Sequence, residues 1–170
     1  MKKLLIALLL VFCLPTICNA GTYTHPEYGF SFEYPDKLMP MPKEINEIVF
    51  LRLMPSTPSP ASIISFSILI EGFGEIKHPE AFSLFLRDFT MEMSPSSEII
   101  SYYFKPLNST TCFIVESKDN AKNYKSAYIP FNGKLYVIDL AYDKKNKLVI
   151  AYWDEILENF TLGLSTTSSL

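Results

Sequence analysis

The stretch EYGFSFEYP, residues 27–35, decides what kind of fold this chain can form. Its four aromatic residues alternate with small or polar ones: Tyr28, Phe30, Phe32 and Tyr34. Because successive side chains of a β-strand point to opposite faces, the alternation predicts a strand with one buried aromatic face. Pro35 cannot donate a ladder hydrogen bond and is expected to end the strand. Gly29 is expected to permit a bulge or a close backbone approach.

The residues upstream of this stretch have the order of a secretory signal. A short basic head precedes the apolar run Leu4–Leu14, and Ala20 places a small residue immediately before Gly21. The run is well short of the roughly twenty apolar residues that span a bilayer. The sequence therefore predicts a signal peptide over residues 1–20 that is cleaved, no stable membrane anchor after cleavage, and a periplasmic or secreted protein.

Cleavage would change both the cysteine content and the charge. Cys13 and Cys18 would leave with the signal, so the mature chain would keep only Cys112 and form no internal disulfide. We interpret Cys112 as a small packed side chain rather than a reactive thiol, with an intermolecular disulfide as the alternative. The formal net charge would change from −3 to about −5. Such a surface does not attract nucleic acid at long range, and we expect no nucleic-acid partner.

The hydrophobic pattern of the remaining chain predicts further strands and two helices. The predicted strands are Thr22–Thr24, Tyr28–Tyr34, Ile45–Met54, Ile63–Ile70, Ile99–Lys105, Thr111–Ser117, Tyr124–Ile129 and Leu135–Tyr142. One helix is expected to begin at His78-Pro79-Glu80 and to end before Ser94-Pro95, and a second is expected over Leu148–Phe160. Asn132-Gly133 suits a tight hairpin, because both residues tolerate positive φ.

This order of elements predicts the fold class and the domain organisation. Short connections between successive strands imply antiparallel pairing, and many strands with few helices indicate an α+β protein. Several strands carry apolar residues on both faces, so helices should at least partly cover both faces of the sheet. We predict an antiparallel β-sheet of about six or seven strands flanked by helices. It should form one domain over residues 21–163, followed by a flexible tail over residues 164–170.

Two segments resemble the PsbP-like domain family. Tyr28–Pro35 is similar to the opening strand of that family, which often begins with tyrosine–glycine–phenylalanine and ends with tyrosine–proline. Gly133–Ile138, with a later helix that ends at Ile156–Phe160, resembles the family's last hairpin and closing helix. The resemblance implies an α/β/α sandwich. Since most members of the family act by binding rather than by catalysis, it also implies a non-enzymatic role.

The two histidines of the predicted mature chain both lie in the tripeptide His-Pro-Glu. His25 with Glu27, and His78 with Glu80, could supply a zinc site, because imidazole and carboxylate are suitable ligands. The alternative is that each tripeptide marks the boundary of an element. We favour this alternative, because the spacing within each tripeptide is unlike common zinc motifs. No metal and no other cofactor is therefore predicted.

Recognisable catalytic motifs are missing from the sequence. The serines form no nucleophile elbow, and Glu71–Glu75 has neither the spacing nor the lysine of a phosphate-binding loop. Asp139 interrupts an apolar run and could define a pocket, or it could lie at an exposed edge or pair with a lysine. We therefore do not expect an enzyme. A small-molecule or metal-binding periplasmic protein, or an enzyme with a dispersed site, remains the alternative.

The later strands carry several tyrosines that suggest an interaction surface. Aromatic rings with a hydroxyl group are favoured at protein interfaces, although strand propensity and packing in the sheet explain tyrosines as well. The candidates are Tyr102, Tyr103, Tyr124 and Tyr128. The sequence thus predicts a non-enzymatic exported domain that binds, or helps to assemble, a protein or complex of the cell envelope.

Overall fold

The computed structural model describes residues 21–41, 49–56, 62–71, 79–107 and 110–163. They form strands and helices in the following order: β1 (Gly21–Thr24), β2 (Ser31–Tyr34), β3 (Leu38–Pro40), β4 (Val49–Pro55), β5 (Ile63–Glu71), α1 (Pro79–Met93), β6 (Glu98–Pro106), β7 (Thr111–Lys118), β8 (Asn123–Phe131), β9 (Lys134–Tyr142) and α2 (Lys147–Asn159). No helix within these ranges is long and apolar enough to cross a bilayer. The predicted signal peptide and the predicted tail lie outside the described residues.

Seven strands form one antiparallel sheet in the order β3-β4-β5-β9-β8-β7-β6. Strands β6 to β9 are joined by consecutive hairpins, whereas β5 pairs with β9 and thereby brings the two halves of the chain side by side. Strands β1 and β2 form a separate two-stranded ribbon. The predicted α+β class and the antiparallel sheet are confirmed.

The hairpin between β8 and β9 uses the turn that the sequence indicates. Asn132 has φ +47° and Gly133 has φ +75°. A tight type I′ turn has positive φ at both central residues, and its twist matches the right-handed twist of the two strands that it joins. The prediction made from the Asn-Gly dipeptide is confirmed.

The opening strand is shorter than predicted. Tyr28 and Gly29 lie in a turn in which the Gly29 N–H donates to the His25 carbonyl at 3.0 Å. The Nδ1 atom of His25 also accepts the N–H groups of Glu27 and Tyr28, each at 3.2 Å, so the imidazole stabilises the turn. Strand β2 therefore begins at Ser31, although the aromatic alternation starts earlier.

Gly29 lies at a close backbone approach, one of the two roles expected for it. Its φ is +66°, and its carbonyl accepts the N–H of Gly163 at 3.2 Å. A Cβ atom on Gly163 would collide with that carbonyl. The chain segment after α2 is therefore held against the turn before β2.

Strand β3 was not predicted from the sequence. It has three residues, Leu38–Pro40, and only Leu38 is buried. A strand this short, with a proline at its end, is indistinguishable from a loop by its pattern. It pairs with β4 and forms one edge of the sheet.

Two layers cover the sheet, one on each face. We call one face of the sheet the α1 face. There, Phe82 and Leu86 of α1 pack on a group of buried side chains from the sheet: Phe113, Val115, Tyr128, Leu135 and Val137. On the opposite α2 face, helix α2 and the β1–β2 ribbon pack on the larger core. The Trp153 side chain is fully buried there, and its Nε1 donates to the Ile138 carbonyl at 3.2 Å.

The ribbon is attached to the α2 face by aromatic rings. The ring of Phe32 stacks on Phe66 of β5, with centroids 4.4 Å apart and an interplanar angle of 5°. The ring of Phe30 packs on Phe160 at 5.5 Å. A β-bridge between Ser31 and Thr161 joins the ribbon to the residues that follow α2. The opening stretch therefore contributes to the core and does not form an exposed recognition surface.

We expect Phe32→Ala to lower the free energy of unfolding by about 3–5 kcal/mol, because it removes a buried ring and leaves a cavity against Phe66. Urea unfolding followed by the fluorescence of Trp153, the single tryptophan of the chain, measures the change. Glu33→Ala is the matched control, since Glu33 is exposed on the same strand, and it should change the value by less than about 0.5 kcal/mol. Equal effects of the two substitutions would contradict the prediction.

Candidate functional site

The His-Pro-Glu tripeptides occupy element boundaries. The His25 ring lies in the turn between β1 and β2 and stacks on Tyr28 with centroids 4.8 Å apart. Glu80 is exposed in the first turn of α1, and His78 lies outside the described residues. Among the described residues, no three His, Cys, Asp or Glu side chains converge as a metal site requires.

The four candidate tyrosines lie in different environments. Tyr102 and Tyr103 are 51% and 39% exposed, and as neighbours on β6 they point to opposite faces of the sheet. The Tyr124 hydroxyl donates to Asp119 Oδ2 at 2.7 Å. Tyr128 is buried beneath α1, where its hydroxyl lies 3.3 Å from Thr90 Oγ1. The structure therefore leaves only the two tyrosines of β6 largely exposed.

A strip of aromatic side chains runs across the α1 face from helix α1 to the edge of the sheet. We call it the aromatic strip, and its members in order are Phe89, Phe85, Phe82, Phe113, Phe104 and Tyr102. Ring centroids of contacting members lie between 5.1 and 6.4 Å apart. The middle of the strip is buried, whereas Phe85 and Phe104 are each 44% exposed. Helix α1 thus covers one part of the strip and leaves the part along β6 accessible.

Tyr102 is the one member of the strip among the tyrosines predicted from the sequence to form an interaction surface, and the sequence does not indicate that these rings come together. Phe82, Phe85 and Phe89 follow the spacing of one helical face, and Tyr102 and Phe104 follow the alternation of one strand face. Both patterns are typical of buried elements. Tyr102 and Phe104 are nevertheless 51% and 44% exposed, because β6 is the edge strand of the described sheet and has a neighbouring strand on one side only.

Strand β6 is a long edge strand. It has nine residues and pairs with β7 on one side only within the described sheet, whereas the opposite edge strand has three residues. The register shifts between Ile99 and Ser101, so that Ile100 is the extra residue of a β-bulge, and its side chain is 53% exposed. The outer side of such a strand offers backbone N–H and C=O groups to another strand.

A buried lysine holds the α2 face together near β6. Lys125 is 8% exposed, and its Nζ lies 3.0 Å from Asp154 Oδ1, 3.7 Å from Glu116 Oε1 and 4.7 Å from the centre of the Trp153 ring. Burial opposes the charge, but the hydrogen bond to Asp154 and the attraction of nearby acidic groups outweigh it, so the pKa of Lys125 is raised. A lysine held as a cation serves as a structural tie and not as a nucleophile.

Asp139 lies in a row of polar side chains on the α1 face. The row crosses four strands, from Arg52 through Ser65 and Asp139 to Ser126. Ser126 Oγ donates to Asp139 Oδ1 at 2.6 Å. Burial raises the pKa of Asp139 to about 6, and the hydrogen bond from Ser126 offsets only part of this effect. The lysine pair suggested as one alternative for Asp139 is absent from its described contacts.

A shallow cleft lies on the other side of the molecule. Its volume is about 410 Å³, and it is lined by Lys37, Pro55, Ser56, Asn146, Leu148, Val149 and Tyr152. The cleft opens between the residue before β3, the end of β4 and the first turn of α2. It contains neither Asp139 nor any residue of the His-Pro-Glu tripeptides, so the candidate residues from the sequence do not meet in it.

Asp139 should make the stability of the protein depend on pH. Its pKa is higher in the folded state than in the unfolded chain, so its contribution is present below about pH 4 and is lost as the pH rises through 6. We expect the stability of Asp139→Asn relative to the natural protein to rise by roughly 2–3 kcal/mol between pH 4 and pH 7.5. Urea unfolding at several pH values measures this difference. Asp88→Asn, which changes an exposed acid of α1, should show no comparable trend.

Cys112 should be unreactive in the folded protein. Its side chain is fully buried in the core of the α2 face, and burial raises the pKa of the thiol to about 11. A disulfide reagent should therefore react with the native protein at least about a hundredfold more slowly than with the urea-unfolded chain. Equal rates in the two states, followed by absorbance of the released thiolate, would contradict this placement.

Comparison with known proteins identifies the fold. No family model matches the sequence, and no curated protein sequence matches it significantly. The structure is similar to the solution structure of cyanobacterial PsbP (CyanoP) from Synechocystis sp. PCC 6803, with a TM-score of 0.63 and 15% sequence identity over 88% of this chain and 96% of that chain. It is also similar to the Ran-binding protein Mog1p of Saccharomyces cerevisiae, with a TM-score of 0.59 and 12% identity over 85% of this chain and 96% of that chain. The chain therefore has a PsbP-like fold.

Proposed function

We propose that this chain is exported and that it acts by binding another protein of the cell envelope through the aromatic strip, without catalysing a reaction. The exposed rings of the strip, Phe85, Phe104 and Tyr102, are the observation that supports the proposal most. Soluble proteins seldom expose contiguous apolar patches larger than roughly a few hundred Å² unless the patch is used for interaction. Export is supported by the basic head, the short apolar run and Ala20 at the start of the sequence.

The construction of the strip suits an interface. Its exposed rings rest on the buried side chains of Phe113 and Phe82, so little conformational freedom remains to be lost when a partner binds. Large rigid aromatic groups at the centre of an interface commonly supply most of the binding energy. The strip thus resembles a preformed anchor for a partner's apolar side chains.

A charged pair lies beside the helical part of the strip. Arg87 and Asp88 form an exposed ion pair at 2.8 Å on α1, between Phe85 and Phe89 in the sequence. An exposed pair of this kind contributes little to stability. Beside an apolar centre, it can orient a partner and speed its association.

The fold is compatible with a binding role. The yeast structure of similar fold is that of a Ran-binding protein, so the same architecture serves protein binding in that case. Two described residues whose side chains can support covalent chemistry, Cys112 and Lys125, are held in structural positions. The pKa of the Cys112 thiol is raised by burial, and Lys125 is paired with two carboxylates. These features favour binding over catalysis.

A photocrosslinking amino acid in place of Phe104 should give a discrete adduct with another envelope protein in cells that make this chain naturally. The same group in place of Leu148 serves as the control, because Leu148 is 58% exposed but lies on α2, away from the strip. Replacing both Phe85 and Tyr102 by serine should reduce the Phe104 adduct at least about tenfold, since two anchors of the interface are lost. Equal adducts from the two positions, or none from position 104, would overturn the proposal.

A further inference from the structure

We propose that two copies of this chain associate by antiparallel pairing of their β6 strands, so that the two sheets become continuous. The inference deepens the proposed function, because the pairing would also join the two aromatic strips. It rests on the proposed function only where that assigns β6 to binding. Strand β6 provides nine residues at the sheet edge, and its outer side pairs with no other strand of the described sheet. The opposite edge offers only the three residues of β3.

Symmetry limits how two identical edges can pair. A two-fold axis perpendicular to the sheet relates two antiparallel neighbours, so residues that face each other must lie on the same side of the sheet. On β6, Ile99, Tyr102 and Phe104 face the same side as their partners Ser117, Val115 and Phe113 of β7. The residues Glu98, Ser101, Tyr103 and Lys105 face the α2 side.

One register satisfies this condition and also matches the charges. With the axis at Tyr102, this residue faces its own copy, Tyr103 faces Ser101, and Phe104 faces Ile99. The bulge residue Ile100 takes up one position, so Lys105 comes to lie opposite Glu98 of the second copy. Both residues lie on the α2 side of the sheet, and the charge pair therefore occurs twice, once at each end of the paired strands.

The neighbours of these two residues extend the charge match. Glu98 already lies 3.0 Å from Lys118, and Lys105 lies 3.2 Å from Glu158. In the pair, the order would be Lys118, Glu98, then Lys105 and Glu158 of the second copy, which alternates in sign throughout. An axis at Tyr103 would instead place Lys105 opposite Ser101 and leave Glu98 beyond the paired region. Charge complementarity thus selects both the occupant and the register.

The pairing explains why the exposed rings follow the edge of the sheet. Since the axis is perpendicular to the sheet, the α1 faces of both copies lie on the same side. Tyr102 and Phe104 of the two copies would then form one apolar floor between the two α1 helices, continuing the contacts with Phe113. In a single copy, the end of the aromatic strip at β6 is exposed. In the pair, the two ends meet and form the centre of one joined strip.

Charge reversal tests the register directly. Glu98→Lys gives an edge with lysine at both charged positions, and Lys105→Glu gives an edge with glutamate at both. We expect the protein in its natural processed form to sediment as a dimer. In each single variant, the dissociation constant of the dimer should rise at least about tenfold, because like charges then face each other. An equimolar mixture of the two variants should dimerise again, because opposite charges face each other in the mixed pair. Lys37→Glu, a charge reversal directly before β3 at the opposite edge of the sheet, should leave the dimer unchanged.

A second measurement uses the axis itself. Tyr102→Cys places two thiols opposite each other across the axis and should form an intermolecular disulfide under mild oxidation, whereas Phe104→Cys, which faces Ile99 of the second copy, should not. The natural Cys112 is buried and should not interfere. Four results would each overturn the proposal. The natural protein could stay monomeric at high concentration, or the single charge variants could dimerise as well as the natural protein. The mixture of variants could stay monomeric, or crosslinking could be equal at positions 102 and 104.

The outcomes separate this inference from the proposed function. A monomer that still forms a Phe104 adduct with another envelope protein would remove the dimer and keep the binding role. A dimer whose only Phe104 adduct is with its own copy would keep the dimer and remove the envelope partner. The two results are distinguished by the mass of the adduct.

Discussion

Strand β9 lies between β5 and β8 and buries side chains on both of its faces, and this two-sided burial is the constraint on which the rest of the structure depends. Alternate residues such as Leu135 and Tyr136 point in opposite directions, so neither face of the central sheet can remain in water. Helix α1 covers one face, and α2 with the β1–β2 ribbon covers the other. The opening stretch EYGFSFEYP is part of that cover, since Phe32 stacks on Phe66 of the strand next to β9.

The same constraint locates the candidate functional surface. A single helix of 15 residues covers the centre of its face, whereas Tyr102 and Phe104 of the outermost strand stay 51% and 44% exposed. The rings of Phe104 and Tyr102 therefore continue the buried group around Phe113 into solvent. On the α2 face near the same edge, Lys125 is enclosed by Asp154, Glu116 and Trp153. The two faces of the sheet thus differ near this edge: the α2 face carries a paired lysine, and the α1 face carries exposed aromatic rings.

Two ionisable groups on the central strands, Lys125 and Asp139, show how partners decide the behaviour of a charge in the sheet. Lys125 has two carboxylates within 4 Å and keeps its charge, and its pKa is raised. Asp139 has a hydroxyl as its described hydrogen-bond partner, and burial raises its pKa to about 6. A hydroxyl stabilises a carboxylate less than a cation does. Asp139 therefore couples folding to pH near neutrality.

Sequence by itself determined the elements that periodicity and turn chemistry specify: the long strands, both helices, the Asn132-Gly133 turn and the α+β class with a PsbP-like architecture. It did not place β3, whose three residues have too little pattern, nor the start of β2, which begins only at Ser31 because His25 side-chain hydrogen bonds stabilise a turn before it. Tertiary structure alone decided that β6 is an edge, that Tyr102 and Tyr103 are exposed while Tyr128 is buried, and that Glu98 and Lys105 lie on one side of the strand. The reason is that periodicity records only which residues share a face of a strand or helix. The exposure of a residue depends on which strand and which helix lie next to it, and the order of the strands follows from the burial of the whole sheet.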